Sequence, residues 1–153
     1  MTVSKLFAST LLLGALSAFA PLTYAKTCEL AIEGTDAMQF SKQTLAVAAD
    51  CTEVKLTLKH AGKLPAAAMG HNWVLSETSV FQAIATDGMK AGLPNNYLPK
   101  DDARVIAHTK VIGGGQSDSV TFPTSKLKKG GDYTFFCSFP GHWSVMKGKF
   151  TFG

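Results

Sequence analysis

The sequence predicts an all-β domain, a sandwich or a barrel, with one helix inserted between strands. Several segments alternate apolar and polar residues with a period of two, and glycine-containing turns separate them. Only one stretch has helical periodicity. The chain has 153 residues, of which 17% are charged and 10% aromatic. This length and composition predict one packed domain rather than a disordered chain.

The first 25 residues have the three-part layout of a secretory signal peptide. Lys5 supplies a short positive start, and the apolar run over 11–20 is shorter than the about 20 residues that span a bilayer. We expect cleavage after Ala25. Ala18-Phe19-Ala20 also resembles a cleavage site, but Pro21 would follow it and make a poor scissile bond. Residues 26–153 are then the folded domain, exported to an oxidising compartment.

Strands are predicted where the alternation is regular or where β-branched and aromatic residues lie between turns. In the clearest case, Val54, Leu56 and Leu58 alternate with lysine and threonine. The predicted strands, in chain order, are 28–32, 44–49, 54–59, 72–75, 105–108, 119–122, 133–137 and 147–152. Many short strands of this kind are typical of a sandwich or barrel.

The one helical segment follows the fourth predicted strand. Four apolar residues share one face of it: Val80, Ala83, Ile84 and Ala91. We predict a helix over 79–91 with Thr78 or Ser79 as its N-cap, frayed where Asp87-Gly88 interrupts the pattern.

The charge pattern argues against nucleic-acid binding. The 15 basic residues outnumber the 11 acidic ones, for a net charge of +4, but Arg104 is the only arginine. Recognition of bases and phosphates relies on clustered arginine and lysine, so an arginine-poor chain with scattered lysines is a weak candidate.

The three cysteines are expected to divide into a pair and a single residue. Cys28 and Cys51 both lie at the ends of predicted strands, and a disulfide between them would stabilise the fold by about 3 kcal/mol. Cys137 lies in a very different setting, and so we favour the Cys28–Cys51 pair. Pairing of either cysteine with Cys137 remains formally open from sequence alone.

Cys137, His142 and Met146 form the motif C-x4-H-x3-M between the last two predicted strands. Pro140 and Gly141 turn the chain inside it, so one tight loop presents a thiolate, an imidazole and a thioether. This donor set suits copper, in both oxidation states, better than zinc or magnesium. A structural zinc site would need four cysteine or histidine ligands, and an iron–sulfur cluster would need more thiolates.

The site needs a second imidazole, and three histidines are candidates. His60 ends a predicted strand, and His108 lies in or beside another. His71 follows Gly70, at a transition from glycine to strand where the backbone can approach a metal closely. We therefore select His71.

The motif Gly70-His71-Asn72-Trp73, together with C-x4-H-x3-M, resembles the azurins, the small blue-copper proteins of the periplasm. The resemblance covers residues 26–153, including the N-terminal cysteine pair and the helix after the Trp73 strand. It implies a Greek-key β-sandwich (the cupredoxin fold) that binds one copper ion. The implied ligands are a trigonal plane of His71, Cys137 and His142, a long axial bond from Met146, and a weak contact from the Gly70 carbonyl.

The resemblance also implies roles for residues around the copper. Asn72 would tie the ligand loops together, and backbone amides would donate hydrogen bonds to the Cys137 sulfur. The edge of His142 would reach the surface inside an apolar electron-transfer patch built from Met38, Leu64, Ala68, Met69, Phe139, Pro140 and Gly141. Trp143 would either extend this docking face or cover the ligand loop.

The expected function is single-electron transfer between periplasmic redox proteins through Cu(II) and Cu(I), without catalysis. A monomeric carrier is expected, with c-type cytochromes, amine dehydrogenases or nitrite reductase as candidate partners, and without membrane insertion. The alternative is a copper chaperone or storage protein, although flexible segments rich in Met or His are not visible. A domain of a copper oxidoreductase would need a second, histidine-rich copper site, and the chain has four histidines.

Overall fold

Residues 25–153 of the computed structural model form two β-sheets of four and five strands. The nine strands within this range are β1 (Thr27–Thr35), β2 (Gln39–Phe40), β3 (Thr44–Val47), β4 (Glu53–His60), β5 (Val74–Glu77), β6 (Ala107–His108), β7 (Ser117–Pro123), β8 (Tyr133–Phe136) and β9 (Lys147–Phe152). Two short helices are α1 (Ala66–Met69), before β5, and α2 (Phe81–Gly88), after it.

Strand pairing brings the loops of one end of the molecule together. The first sheet has the order β2-β1-β4-β7, and parallel pairing of β1 with β4 places Gly34 beside His60. The second sheet has the order β3-β9-β8-β5-β6, and antiparallel pairing of β8 with β9 places Phe136 beside Lys147. The β8–β9 pair therefore holds both ends of the loop 137–146.

The core lies between the two sheets and is centred on Trp73. Its side chain is fully buried, with ring centroids 6.1 Å from Phe122 and 6.2 Å from both Phe135 and Phe150. Burial of each such large side chain contributes on the order of 1.5–3 kcal/mol. Trp73 Nε1 is, among the described residues, the one buried side-chain nitrogen or oxygen without a hydrogen-bond partner.

Helix α2 covers part of the outer face of the second sheet. Phe81, Ile84 and Ala85 of this helix pack against Val74 and Phe136 of the sheet. The inserted helix predicted from periodicity is therefore present, but its buried face differs from the predicted one. Of the four residues predicted to share a face, Ile84 is buried, Val80 and Ala91 are half-buried, and Ala83 is exposed.

The fold class predicted from the sequence is confirmed, and the corrections concern element ends. The helix predicted over 79–91 is α2 followed by a 3-10 turn, Met89–Ala91. Its N-cap is Val80, without a side-chain cap, so neither predicted cap, Thr78 or Ser79, is used; the Thr78 hydroxyl instead pairs with that of Thr134. The strand predicted over 72–75 begins two residues later, and that over 133–137 ends at Phe136.

Two short elements, β2 and α1, were not predicted at all. Both are too short for a periodic pattern, since β2 has two residues and α1 has four. Tertiary contacts rather than local sequence place them. Helix α1 immediately precedes Gly70 and His71, so this missed element lies next to the candidate site.

The predicted disulfide between Cys28 and Cys51 is present, and Cys137 is a free, buried cysteine. The bond joins the start of β1 to the segment before β4. The predicted signal peptide lies almost entirely outside the described residues. Between residues 25 and 153, no helix has the length and apolar character needed to cross a membrane.

Candidate metal centre

The loop between β8 and β9 presents three of the predicted ligands. Cys137 directly follows β8, and its backbone N–H donates to the carbonyl of Met146 at 3.0 Å. Gly141 adopts the left-handed conformation (φ 81°), which glycine tolerates best, and a 3-10 turn, His142–Ser144, follows it. The N–H of Met146 donates to the carbonyl of His142 at 2.7 Å. The loop therefore closes on itself and brings the ends of the motif together.

His71 reaches the same place from the segment between α1 and β5. Its N–H donates to Ile112 at 3.0 Å and its carbonyl accepts from Ile112 at 2.9 Å, an isolated antiparallel bridge. Its ring Nε2 lies 2.8 Å from the carbonyl oxygen of Thr35. A carbonyl can only accept, so Nε2 carries the proton and Nδ1 has a free lone pair.

One sulfur and two ring nitrogens meet at the centre of this end of the molecule. Cys137 Sγ lies 3.9 Å from His71 Nδ1 and 3.7 Å from His142 Nδ1, and the three atoms lie within 4.8 Å of one another. A first-row ion such as zinc binds sulfur at about 2.3 Å and imidazole nitrogen at about 2.0 Å, so the sulfur and each nitrogen would lie about 3.7 Å apart around a trigonal ion. The two sulfur–nitrogen distances of the protein match this spacing.

The chemistry of this donor set selects copper. A trigonal arrangement of one thiolate and two imidazoles, with weak axial sulfur, is the geometry of copper electron-transfer sites. Met146 is fully buried. Its side chain lies beside His71, because both contact the backbone of Gly34: a Cβ atom added to this glycine would lie 2.8 Å from His71 Cδ2 and 2.9 Å from Met146 Cε. The carbonyl oxygen of Gly70 lies 3.9 Å from Cys137 Sγ.

Burial keeps the donor groups neutral in the metal-free protein. It raises the pKa of the Cys137 thiol to about 12, although N–H groups of Asn72 and Phe139 donate to the sulfur and oppose the shift. It lowers the pKa of His142 to about 4, and it lowers the pKa of His71 as well. Both imidazoles are therefore unprotonated at neutral pH and available to a metal.

Asn72 connects the two ligand loops. Its Oδ1 accepts from the N–H of Ser138 at 2.9 Å, and its Nδ2 donates to the Ser138 hydroxyl at 2.8 Å. His71 precedes Asn72 and Cys137 precedes Ser138 in the sequence, so this contact joins two segments that each carry a candidate ligand. The participation of Ser138 was not predicted, because a serine beside a cysteine has no distinctive spacing.

The other two histidines do not contribute a metal-binding nitrogen here. His60 is fully buried and stacks on His71 with ring centroids 4.4 Å apart. Both of its nitrogens are engaged, since Nδ1 accepts from the N–H of Gly62 and Nε2 lies 2.9 Å from the carbonyl of Met69. His108 lies on β6, and its exposed ring contacts the carbonyl of Thr109.

The residues of the predicted electron-transfer patch differ in exposure. Met38 and Leu64 are 37% and 42% exposed, and exposed or half-buried positions are also found for Ala68, Met69, Pro140, Gly141 and Trp143. Phe139 is buried instead, with its ring 4.5 Å from that of His142. Trp143 leans onto α2, where its ring lies 6.4 Å from that of Phe81. Only 3% of His142 is exposed.

Comparison with known proteins identifies relatives over the whole described domain. The family model for copper binding proteins of the plastocyanin/azurin family matches residues 26–153. An azurin of Alcaligenes faecalis is 61% identical over 126 residues, covering 82% of this chain and 98% of the relative. An azurin of Bordetella pertussis is 55% identical over 133 residues, covering 87% and 89%. The solved structure of an azurin (Az-iso2) from Methylomonas sp. strain J superposes with a TM-score of 0.80 at 41% identity, covering 82% and 98%.

The two-sheet sandwich and its buried cluster of one cysteine and two histidines define a cupredoxin that binds copper. The chain belongs to the plastocyanin/azurin family, and it is a blue-copper electron-transfer protein.

Proposed function

We propose that His71, Cys137 and His142 would hold one copper ion, with Met146 and the Gly70 carbonyl as weaker contacts. The observation that carries this proposal is the convergence of one thiol sulfur and two unprotonated ring nitrogens within 4.8 Å. The hydrogen bond from the His71 ring to the Thr35 carbonyl orients one donor, and the bond from the Ser138 N–H to Asn72 holds the segment that follows Cys137.

When bound, copper supplies a one-electron couple between Cu(II) and Cu(I). The protein's contribution is to keep its donors still, so that little rearrangement accompanies the change of oxidation state. The Thr35 carbonyl orients the His71 ring, and Asn72 fixes the backbone that follows Cys137. Phe139 lies against the ring of His142 and limits its rotation.

The site favours a carrier over an enzyme. His71 and Cys137 are completely buried, and Asn72 and Ser138 beside them are buried too, so a substrate has no open position at the centre. Electrons would leave through the narrow exposed edge of His142. The apolar residues around that edge would dock periplasmic redox proteins, with c-type cytochromes, amine dehydrogenases and nitrite reductase as candidates.

We further propose that residues 1–25 direct export and are removed, and that 26–153 act as a monomer in the periplasm. Mass spectrometry of the protein purified from a periplasmic fraction tests this proposal. A mature chain that begins at Lys26 is expected. Retention of the first residues in a cytoplasmic fraction would contradict it.

Optical and EPR spectra of the copper-loaded protein test the site. An intense thiolate-to-copper band with narrow hyperfine splitting is expected, followed by a reversible one-electron titration. Cys137→Ser should abolish the band, because a hydroxyl does not replace the thiolate. Cys28→Ala/Cys51→Ala is the matched control, since it removes the other two cysteines and should keep the band. A colourless protein that loses copper readily would instead indicate a chaperone or storage protein.

A further inference from the structure

Asn96 is a hydrogen-bonding hub beside the metal centre that sequence reasoning did not identify. Its backbone carbonyl accepts from Asn72 Nδ2 at 3.1 Å and from the Ser138 hydroxyl at 2.8 Å. Its side-chain Oδ1 accepts from the N–H of Val111 at 2.9 Å. Val111 precedes Ile112, which forms the backbone bridge to His71. One residue therefore contacts three segments that surround the candidate ligands.

The backbone of Asn96 is in the left-handed conformation that this contact pattern requires. Its φ and ψ are 55° and 26°, and Tyr97 is also left-handed with φ 50°. Asparagine tolerates this region better than most residues, whereas a bulky side chain such as tyrosine is uncommon there. Two backbone hydrogen bonds anchor the turn, from the N–H of Asn96 to Leu93 at 2.9 Å and from that of Tyr97 to Gly92 at 3.0 Å.

Tyr97 extends the same support to the other imidazole. Its ring lies 5.1 Å from that of Phe139, in an edge-on arrangement. Phe139 in turn lies 4.5 Å from the ring of His142. The two left-handed residues thus contact the surroundings of all three metal-binding side chains: Asn96 on the sides of His71 and Cys137, and Tyr97 on the side of His142.

We infer that the Asn96–Tyr97 turn is a positioning element of the copper site: it holds Asn72, Ser138, Val111 and Phe139 so that the three donors keep their spacing. The inference rests on the proposed ligand set. Strained backbone of this kind persists where surrounding contacts enforce it, and here the contacts lead to the metal centre. Asn96 and Tyr97 do not touch the metal themselves, so their effect is transmitted through the residues they hold.

The test compares substitutions that separate backbone conformation from side-chain contact. Asn96→Ala removes the acceptor for Val111 and disfavours the left-handed backbone. It should lower copper affinity by about 10–100-fold, the usual effect of losing a group that orients metal ligands, and shift the thiolate-to-copper band. Asn96→Gly keeps the left-handed backbone and loses only the side-chain acceptor, so its copper affinity should decrease less than that of Asn96→Ala. Asn96→Asp keeps an acceptor and should behave like the unaltered protein.

Asn95→Ala is the matched control in the same loop. The Asn95 side chain is exposed and donates to the carbonyl of Ala91 at 2.9 Å, within its own loop. Tyr97→Phe, which keeps the ring, and Tyr97→Ala, which removes it, test the aromatic branch in the same assays. Affinity is measured by chelator competition with copper itself, and unfolding of each metal-free variant is measured in parallel.

A purely structural role would lower the free energy of unfolding while affinity, band position and reduction potential stay unchanged. That result for both Asn96→Ala and Asn96→Gly overturns the inference. If Asn96→Ala does not fold, the comparison of copper affinity and band position between Asn96→Gly and Asn96→Asp tests the inference by itself. If the unaltered protein itself lacks the blue band, the proposed ligand set fails, and the inference falls with it. If the unaltered protein has the blue band and the variants match it in affinity and band position, only the role of the turn is overturned.

Discussion

Cys137 shows how burial and metal affinity depend on each other at the scale of single residues. In the metal-free protein its pKa is raised to about 12, so at neutral pH the sulfur is a buried thiol rather than a costly buried anion. His71 and His142 have lowered pKa values and are neutral for the same reason. Without a bound metal the three donor groups carry no net charge, and binding of a metal releases the thiol proton.

These shifts predict that the metal-free protein loses stability in mild acid. The pKa of His142 falls from 6.5 in the unfolded chain to about 4 in the fold, so the unfolded chain binds the proton first as pH decreases. The contribution is fully present above pH 6.5 and is lost toward pH 4. We expect the free energy of unfolding to decrease by about 1–2 kcal/mol between pH 6.5 and 4.5.

Denaturant unfolding of the metal-free protein at several pH values measures this loss. His142→Gln should have a smaller pH dependence, because one titrating ring is gone and His71 remains. If the free energy of unfolding depends equally on pH in the two proteins, burial of His142 is not the cause of the acid-induced loss of stability. The opposite sign applies to Cys137, whose raised pKa costs stability only as pH increases from 9 toward 12.

At the scale of secondary-structure elements, the disulfide and the metal centre lie at opposite ends of β1 and β4. Cys28 is at the start of β1 and Gly34, beside His71 and Met146, is near its end. Six residues of strand separate them by about 20 Å at about 3.3 Å per residue. The Cys28–Cys51 bond therefore stabilises the strands without contacting the site.

The double variant Cys28→Ala/Cys51→Ala should lower the free energy of unfolding by about 3 kcal/mol. The bond joins residues 23 positions apart in the sequence, and closing a loop of that length restricts the unfolded chain. Its thiolate-to-copper band should not move. Unfolding measurements and optical spectra of the same preparations test both parts. A displaced band would show that strain in β1 reaches the ligands.

At the scale of the whole molecule, we propose that the loops around His142 form one apolar surface. Met38, Leu64 and Pro140 come from three separate loops, and each of them is exposed. Exposed apolar clusters of this kind mark interaction sites. Because His142 has a narrow exposed edge there, a partner docked on this surface would approach the copper ligands most closely.

Met69→Lys should slow electron exchange with a redox partner about tenfold, equivalent to about 1.4 kcal/mol of docking free energy, because it places a charge in the apolar patch. The blue band should survive, since Met69 is not a predicted ligand. Met89→Lys is the matched control: Met89 is 45% exposed on the turn after α2 and outside the predicted patch. Stopped-flow rates that are equal for the two variants would rule out this docking surface.

Much of this architecture could be predicted because its determinants are local. Alternation in β4 predicts which side chains are buried, and Val54, Leu56 and Leu58 are all fully buried. The helix end points were less accurate: the predicted hydroxyl cap at Thr78 pairs with Thr134, 56 residues away, instead of capping the helix. A cap motif competes with any tertiary partner that the fold brings closer.

The sequence by itself determined the fold class, the disulfide as the favoured pairing, and the candidate cluster of His71, Cys137 and His142, because periodicity, residue type and motif spacing carry that information. Only the tertiary structure decided what holds the cluster. The carbonyls of Thr35 and Asn96 support it through backbone atoms, which every residue possesses and no motif reveals. Their direction depends on strand register and on a left-handed turn, and both are fixed by contacts between segments far apart in the chain.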